Sequence, residues 1–285
     1  MDNIRQKLKD KKRIVIKLGT STIVHPETGD INYIKLEKLV RFVCDLKNQD
    51  KEVVLVSSGA IGVGVNAIGL SKKPKTTSLR QACAAIGQGQ LMMVYQKLFS
   101  EYHKTSAQVL LTFDVITNPV RRQNSINTFN ELLQLDVIPI VNENDTVATE
   151  EIEFGDNDVM SAIVASLIKA DLVVLLSDIE GLFTDDPRTN PDAKKIDTVD
   201  EITPELMSMG KGSGTNYGTG GMASKLVAAT IACDSGADMA IINGATIDNL
   251  ISLFDGEVIG TVFRAHKQKD FDLITYLRDK TYLNV

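Results

Sequence analysis

Two lysines are the residues of this 285-residue chain whose surroundings first suggest phosphate chemistry. Lys17 lies inside RIVIKLG (13–19), which has the pattern of a buried strand, and an ammonium group there is costly to remove from water without a negative partner. Lys225 ends GTGGMASK (218–225), where an apolar helical pattern begins. The start of a helix favours an anion, because its first N–H groups lack helical partners and the helix dipole is positive there. A bound phosphate would satisfy both lysines; a Lys17 that reaches solvent and a solvated loop before Lys225 are the plainer alternatives.

Neither glycine-rich segment matches a standard nucleotide-binding motif. GTGGMASK lacks the GK[ST] ending of a Walker loop, and a polar loop precedes it in place of a buried strand. SSGAIGVG (57–64) does not have the GxGxxG spacing of a dinucleotide fingerprint. Ser57 and Gly59 still offer hydroxyl and N–H donors to a carboxylate or phosphate. An ordinary turn from a strand into a helix is the alternative.

Carboxylates and amides are concentrated in NENDTVATEEIEFGDND (142–158). Its groups of interest are Asn142, Asp145, Asn157 and Asp158. Oxygen ligands of this kind accept hydrogen bonds from an ammonium group, hold Mg²⁺ or orient lysines. A solvated acidic loop is the alternative for the segment, and a helix N-cap is the alternative for Asp158.

The elements that must position these residues alternate between strand and helix patterns. Short apolar runs, typical of strands buried on both faces, occupy 13–19, 52–59, 136–145, 171–178 and 238–245. Helical patterns lie between them, at Tyr33–Asn48, Ser78–Tyr102, Ser125–Leu135, Asp158–Lys169 and Met222–Ser235. This alternation predicts an α/β fold with a mainly parallel sheet. In such folds ligands bind at the carboxyl ends of the strands. Polar residues follow the predicted strands, so we expect them to lie at that edge of the sheet.

Composition excludes several other classes of protein. The net charge of −6 provides no basic excess for nonspecific nucleic-acid binding. Three separate cysteines and three separate histidines indicate reduced thiols in a cytoplasmic protein and no zinc site. Residues 1–12 are basic but interrupted by acids, which predicts a solvated helical extension and neither a signal peptide nor a membrane span.

Taken in order, the motifs resemble the amino acid kinase family, most closely its members that phosphorylate glutamate. The match runs from Arg13 to Ala265 through IVIKLGTS, VVLVSSGAIGVG, PIVNENDTV, FGDND, LLSDIEGLFTDDPRTNPDA and GTGGMASK. The resemblance implies an open αβα sandwich with a mainly parallel central sheet over 13–266. Residues 267–285 would form a tail, without the C-terminal PUA domain that many relatives carry.

The resemblance also implies a reaction, in which the γ-phosphoryl of ATP moves to the side-chain carboxylate of L-glutamate as the first step toward proline. ATP and Mg²⁺ are the implied cofactors, with Mg²⁺ held mainly by ATP and no protein side chain assigned to it. Lys17 and Lys225 correspond to the catalytic pair, and Asp158 to the residue that orients them. The implied glutamate contacts are Ser57, Gly59, Asn142, Asp145 and Asn157. The implied ATP contacts are Lys17, Ser177, Asp178, Thr219, Gly220, Gly221, Met222, Ala223, Ser224 and Lys225.

The implied partners are small molecules and further copies of the chain. The family suggests feedback inhibition by L-proline and a homo-oligomer, either a dimer or a tetramer, with no nucleic acid and no membrane. Another kinase of the same fold, such as an acetylglutamate kinase or an aspartokinase, is an alternative. A noncatalytic amino-acid or nucleotide sensor is a second alternative. A sensor predicts the loss of Lys17, Asp158 or Lys225, and all three are present.

Overall fold

A computed structural model describes residues 4–70, 74–147, 157–185, 187, 189–209 and 221–279. The strands are β1 (Arg13–Leu18), β2 (Glu52–Ser57), β3 (Ser106–Leu111), β4 (Ile138–Glu143), β5 (Leu172–Ser177), β6 (Leu182–Phe183), β7 (Lys195–Ile196), β8 (Thr198–Val199), β9 (Asp238–Asn243) and β10 (Thr261–Phe263). The helices are α1 (Ile4–Leu8), α2 (Thr20–Ile23), α3 (Tyr33–Asn48), α4 (Ala60–Ala67), α5 (Thr77–Ser100), α6 (Phe113–Thr117), α7 (Pro119–Gln134), α8 (Asn157–Ile168), α9 (Pro204–Met209), α10 (Met222–Ser235), α11 (Asp248–Phe254) and α12 (Leu273–Asp279).

Eight of the strands form the central sheet, in the order β3-β4-β2-β1-β5-β9-β10-β8. The pairs β2–β4, β3–β4, β5–β9 and β8–β10 are parallel, and β9–β10 is antiparallel. Strands β1, β2, β4, β5 and β9 are almost entirely buried, as continuous runs of Val, Ile and Leu require. The prediction of an α/β fold with a mainly parallel sheet is therefore confirmed.

The chain divides into two compact units. The first unit comprises Met1–Lys17 and Phe154–Val285, and in it α8 packs against α10. The second unit comprises Leu18–Glu153 and contains the β2–β4–β3 strands with α4 packed on α5. Within the described residues, no helix combines the length and apolarity needed to cross a bilayer.

The N-terminal extension differs from the solvated helix that its charge pattern predicted. Arg5 is only 4% exposed, and Ile4 and Leu8 are buried with it. The Arg5 guanidinium donates to the backbone carbonyls of Asp197 at 2.6 Å and Ile259 at 2.7 Å. The predicted helix is present and Gln6 and Lys7 are exposed, but the prediction of a solvated side chain was wrong for Arg5. A guanidinium has five N–H donors, so several carbonyl groups together can replace its hydration. One face of α1 is thus part of the first unit's core.

Helices α4 and α5 approach each other closely enough that their backbones touch. A Cβ atom at Gly87 would lie 1.8 Å from the carbonyl oxygen of Ala60, and one at Gly64 would lie 1.8 Å from that of Cys83. Contacts this short leave no room for any side chain. The two glycines therefore set the distance between α4 and α5.

This contact predicts a large difference between two glycines of the same helix. Gly87→Ala is expected to lower the free energy of unfolding by about 1–3 kcal/mol or more, since the added methyl group would have to push α4 aside. Gly89→Ala is the matched control, because a Cβ there meets nothing within 4 Å. It should stabilise the helix by about 0.5–1 kcal/mol. Urea unfolding followed by circular dichroism would measure both, and equal effects would contradict the proposed close contact.

Candidate active site

A buried cluster of two lysines and one aspartate lies within the first unit. Lys17 is the fifth residue of β1, Asp158 the second of α8 and Lys225 the fourth of α10. Lys17 Nζ lies 2.7 Å from Asp158 Oδ1, and Lys225 Nζ lies 2.9 Å from Asp158 Oδ2. The three residues are 4%, 0% and 3% exposed, respectively. Residues far apart in the chain thus meet around one carboxylate.

The electrostatics of this cluster keep Asp158 ionised. Burial raises the pKa of the Asp158 carboxyl, but the ammonium groups of Lys17 and Lys225 together outweigh burial and hold this pKa below its usual range. Two ammonium groups and one carboxylate carry a net charge of +1. A positive cluster away from water is suited to an anionic ligand.

The cluster decides two of the alternatives left open by the sequence. Lys17 does not extend into solvent, and its negative partner is Asp158. The carboxylate of Asp158 contacts two lysine side chains, so the N-cap interpretation does not describe its contacts. Both residues therefore belong to a polar site inside the core.

Several residues with predicted ATP contacts lie on the same unit as the cluster. Ser177 ends β5, is buried, and donates from Oγ to the exposed Asp178 carboxylate at 3.1 Å. Gly221 is the N-cap residue of α10 and, as a glycine, offers no capping side chain. Met222, Ala223 and Ser224 form its first turn, with Ser224 Oγ donating to the Gly221 carbonyl at 2.8 Å. Thr219 and Gly220 lie outside the described residues.

The residues predicted to contact glutamate divide between the two units. Asn157 is the half-exposed first residue of α8 in the first unit. Ser57 and Asn142 are buried near the carboxyl ends of β2 and β4 in the second unit, and Asp145 is half-exposed in the turn after β4. Gly59 precedes α4 with a φ of 94°, a left-handed conformation that favours glycine.

Two further polar side chains contact this second group, and the sequence analysis did not identify either one. Tyr95 Oη lies 3.0 Å from Ser57 Oγ, and Gln88 Oε1 accepts from Asn142 Nδ2 at 3.0 Å. Both belong to α5 and are seven residues apart, so they lie on the same face of the helix. That spacing is informative only once α5 is known to contact residues at the ends of β2 and β4.

Side chains that could bind a metal ion are not clustered in the described part of the chain. No group of three or more His, Cys, Asp or Glu side chains there is placed to hold a metal ion. The three cysteines are buried thiols and form no disulfide.

Comparisons with known proteins identify the family of this chain. Residues 12–243 match the model of the amino acid kinase family. The chain is 52% identical to glutamate 5-kinase from Clostridium perfringens over 93% of this chain and 99% of that protein. It is 50% identical to glutamate 5-kinase from Carboxydothermus hydrogenoformans over 94% of this chain and 72% of that protein.

A solved structure supports the same fold at low sequence similarity. Carbamate kinase from Giardia lamblia bound to AMP-PNP superposes with a TM-score of 0.63 and 16% identity, covering 90% of this chain and 99% of that one. This likeness concerns the fold alone, whereas the sequence similarity to the two glutamate 5-kinases covers nearly the whole chain. The chain therefore belongs to the amino acid kinase family and, within it, to the glutamate 5-kinase family.

Proposed function

We propose that this chain transfers the γ-phosphoryl group of ATP to the side-chain carboxylate of L-glutamate, giving L-glutamyl 5-phosphate and ADP, the first step of proline biosynthesis. The observation that carries the proposal is the buried Lys17–Asp158–Lys225 cluster. The identity of about half the residues with glutamate 5-kinases from two organisms supports glutamate as the acceptor.

The chemistry needs positioning and charge neutralisation more than proton transfer. A carboxylate is already a competent nucleophile, so no strong general base is required, and catalysis depends on holding the two reactants in line. Lys17 and Lys225 are the proposed catalytic residues, with their ammonium groups directed at the transferring phosphoryl. Asp158 is the proposed positioning residue, because its two carboxylate oxygens each hold one of those ammonium groups.

The start of α10 is the proposed site for the phosphates of ATP. Its 14 residues give a full helix dipole, and its N-cap residue, Gly221, has no side chain to occupy the first N–H groups. Ser177 and Asp178 at the end of β5 are the other proposed nucleotide contacts on this unit. The net positive charge of the lysine cluster fits a polyphosphate, and Mg²⁺ carried by ATP would neutralise further phosphate charge.

Glutamate recognition is assigned to the second unit. The first turn of α4 after Gly59 and the side chains of Ser57 and Asn142 would donate to substrate carboxylate oxygens. The side chain of Asp145 is the proposed acceptor for the α-ammonium group, which a free amino acid carries and an N-acyl amino acid lacks.

Release of ADP in the presence of Mg-ATP tests the reaction directly. L-Glutamate, N-acetyl-L-glutamate and L-aspartate would be supplied separately as acceptors. Turnover is expected with L-glutamate and at least 10²-fold less with N-acetyl-L-glutamate, which cannot use the ammonium acceptor. Trapping the acyl phosphate with hydroxylamine would confirm that a carboxylate was phosphorylated. Turnover with either of the other acceptors and none with L-glutamate would contradict the proposal.

Inhibition by the pathway's end product is a second expectation of this function. L-Proline resembles glutamate in its α-carboxylate and ammonium groups, and we propose that it competes for the glutamate site of a homo-oligomeric enzyme. Added L-proline should raise the KM for glutamate without changing the KM for ATP. Initial rates at several proline concentrations would measure this, with D-proline as the control, and an unchanged glutamate KM would contradict it.

A further inference from the structure

We propose that Tyr95 and Gln88 are positioning residues that turn Ser57 and Asn142 into hydrogen-bond donors for a carboxylate of the substrate. The inference rests on the proposed function, because it assigns a specific task to two of the glutamate contacts. It concerns the second unit alone, where all four residues lie.

The fold brings the four side chains into two neighbouring pairs. Strands β2 and β4 are parallel, with Val56 level with Val141, so the next residues, Ser57 and Asn142, are also level. Their partners Tyr95 and Gln88 are separated by two turns of α5. One face of a single helix therefore contacts the side chains at the ends of both strands.

Chemistry decides the direction of the bond between Tyr95 and Ser57. Tyr95 is fully buried, and burial raises the pKa of its phenol above the usual value. The phenol therefore keeps its proton. A phenolic O–H is more acidic than an aliphatic one and is the stronger donor. We therefore assign the donor to Tyr95 and the acceptor to Ser57 Oγ, at the observed 3.0 Å.

This assignment determines what Ser57 can offer a ligand. An Oγ atom that accepts from Tyr95 has its own proton to donate elsewhere. The Ser58 carbonyl lies 3.3 Å away, at the long end of hydrogen-bond distances, and a carboxylate would be the stronger acceptor. A Tyr95 to Ser57 to carboxylate chain also strengthens each of its bonds through polarisation.

The carboxamide of Asn142 is oriented by two contacts at once. Its Oδ1 accepts from the Glu143 backbone N–H at 2.9 Å, and its Nδ2 donates to Gln88 Oε1 at 3.0 Å. Flipping the amide would place Nδ2 against another N–H donor and Oδ1 against another acceptor. The orientation is therefore locked with the amide nitrogen on the side of α5. The amide nitrogen of Asn142 is therefore held as a donor, which fits a carboxylate oxygen.

The test compares kinetic constants of variants that keep the shape of the helix. Tyr95→Phe removes only the hydroxyl, and Gln88→Met removes the acceptor while keeping the length of the side chain. Each is expected to raise the KM for glutamate about tenfold, the size of one weakened hydrogen bond to a charged group, and to leave the KM for ATP unchanged. Gln90→Met, on the same helix and exposed, and Tyr33→Phe, 58% exposed, are the controls and should match the wild type.

A higher KM for glutamate with an unchanged KM for ATP distinguishes a positioning role from a purely structural one. A structural role would lower the melting temperature or the fraction of active enzyme, without changing the glutamate KM of the molecules that remain folded. An unchanged glutamate KM in both variants would overturn the inference, whatever happens to stability. Failure of the proposed function would look different, because the wild type itself would then show no turnover with L-glutamate.

Discussion

Asp158→Asn is expected to remove most of the activity and, unlike most changes in an active site, to destabilise the first unit as well. The substitution keeps the size of the side chain and removes its charge. The carboxylate oxygens of Asp158 lie 2.7 Å from Lys17 Nζ and 2.9 Å from Lys225 Nζ. Without this negative charge, the two ammonium groups would repel each other inside the core. Removing one partner of a buried ion pair typically lowers the free energy of unfolding by about 3–5 kcal/mol. Turnover should fall by about 10²–10³, as for the loss of a group that aligns charge in the transition state.

The pH dependence of stability gives this prediction a second readout. The folded-state pKa of Asp158 is held below the unfolded value of about 3.9, so its contribution to stability is complete above that value and disappears as the pH falls through the folded pKa. The wild type and Asp158→Asn should therefore differ most near pH 7. The gap between their unfolding free energies should close in the acid range, as urea titrations at several pH values would measure.

Asp238→Asn is the matched control for Asp158→Asn. Asp238 is also a buried aspartate of the first unit, it lies 2.7 Å from Lys11 Nζ, and it begins β9, whereas the proposed site lies where strands end. Its replacement should lower stability and leave kcat within about twofold of the wild type. An Asp158→Asn enzyme with normal kcat would show that Asp158 only stabilises the core.

Much of this site was predictable because strong local patterns mark its positions. The apolar runs around Lys17 and before Ser57 predicted buried strands, and β1 and β2 occupy Arg13–Leu18 and Glu52–Ser57. The helical pattern over Met222–Ser235 matches α10 residue for residue. Lysine in a buried strand was informative since it demanded a negative partner. Periodicity could not identify that partner as Asp158, which is 141 residues away in the sequence and meets it only through the tertiary fold.

The parts that sequence reasoning missed depend on contacts between elements. Strand β3 (Ser106–Leu111) has only a partly buried pattern, so it lacks the continuous apolar run of the other long strands. Arg5 was expected in solvent because charge predicts exposure, and no local pattern reveals the carbonyl groups that surround it. Tyr95 and Gln88 look like ordinary helix residues until α5 is placed over the ends of β2 and β4.

Lys225→Met should lower turnover as much as Asp158→Asn does while changing stability far less. Methionine replaces the aliphatic part of the lysine, so packing in α10 is largely kept. Asp158 would still face Lys17 at 2.7 Å, and the remaining pair would be neutral. The fold thus tolerates the loss, whereas the reaction loses one of two ammonium groups proposed to hold the transferring phosphoryl. A fall in kcat of about 10²–10³ is expected, with the melting temperature within a few degrees of the wild type.

Lys47→Met is the control that separates the loss of a catalytic ammonium group from the loss of a buried lysine. Lys47 is 5% exposed, and its Nζ lies 2.6 Å from the carboxylate of Asp136, so it too is a buried lysine with one aspartate partner. It has no proposed contact with substrate and should keep a normal kcat. Near-normal activity in Lys225→Met would remove Lys225 from the mechanism. A stability loss as large as that of Asp158→Asn would contradict the proposed charge balance, in which two ammonium groups share the Asp158 carboxylate and either one alone can neutralise it.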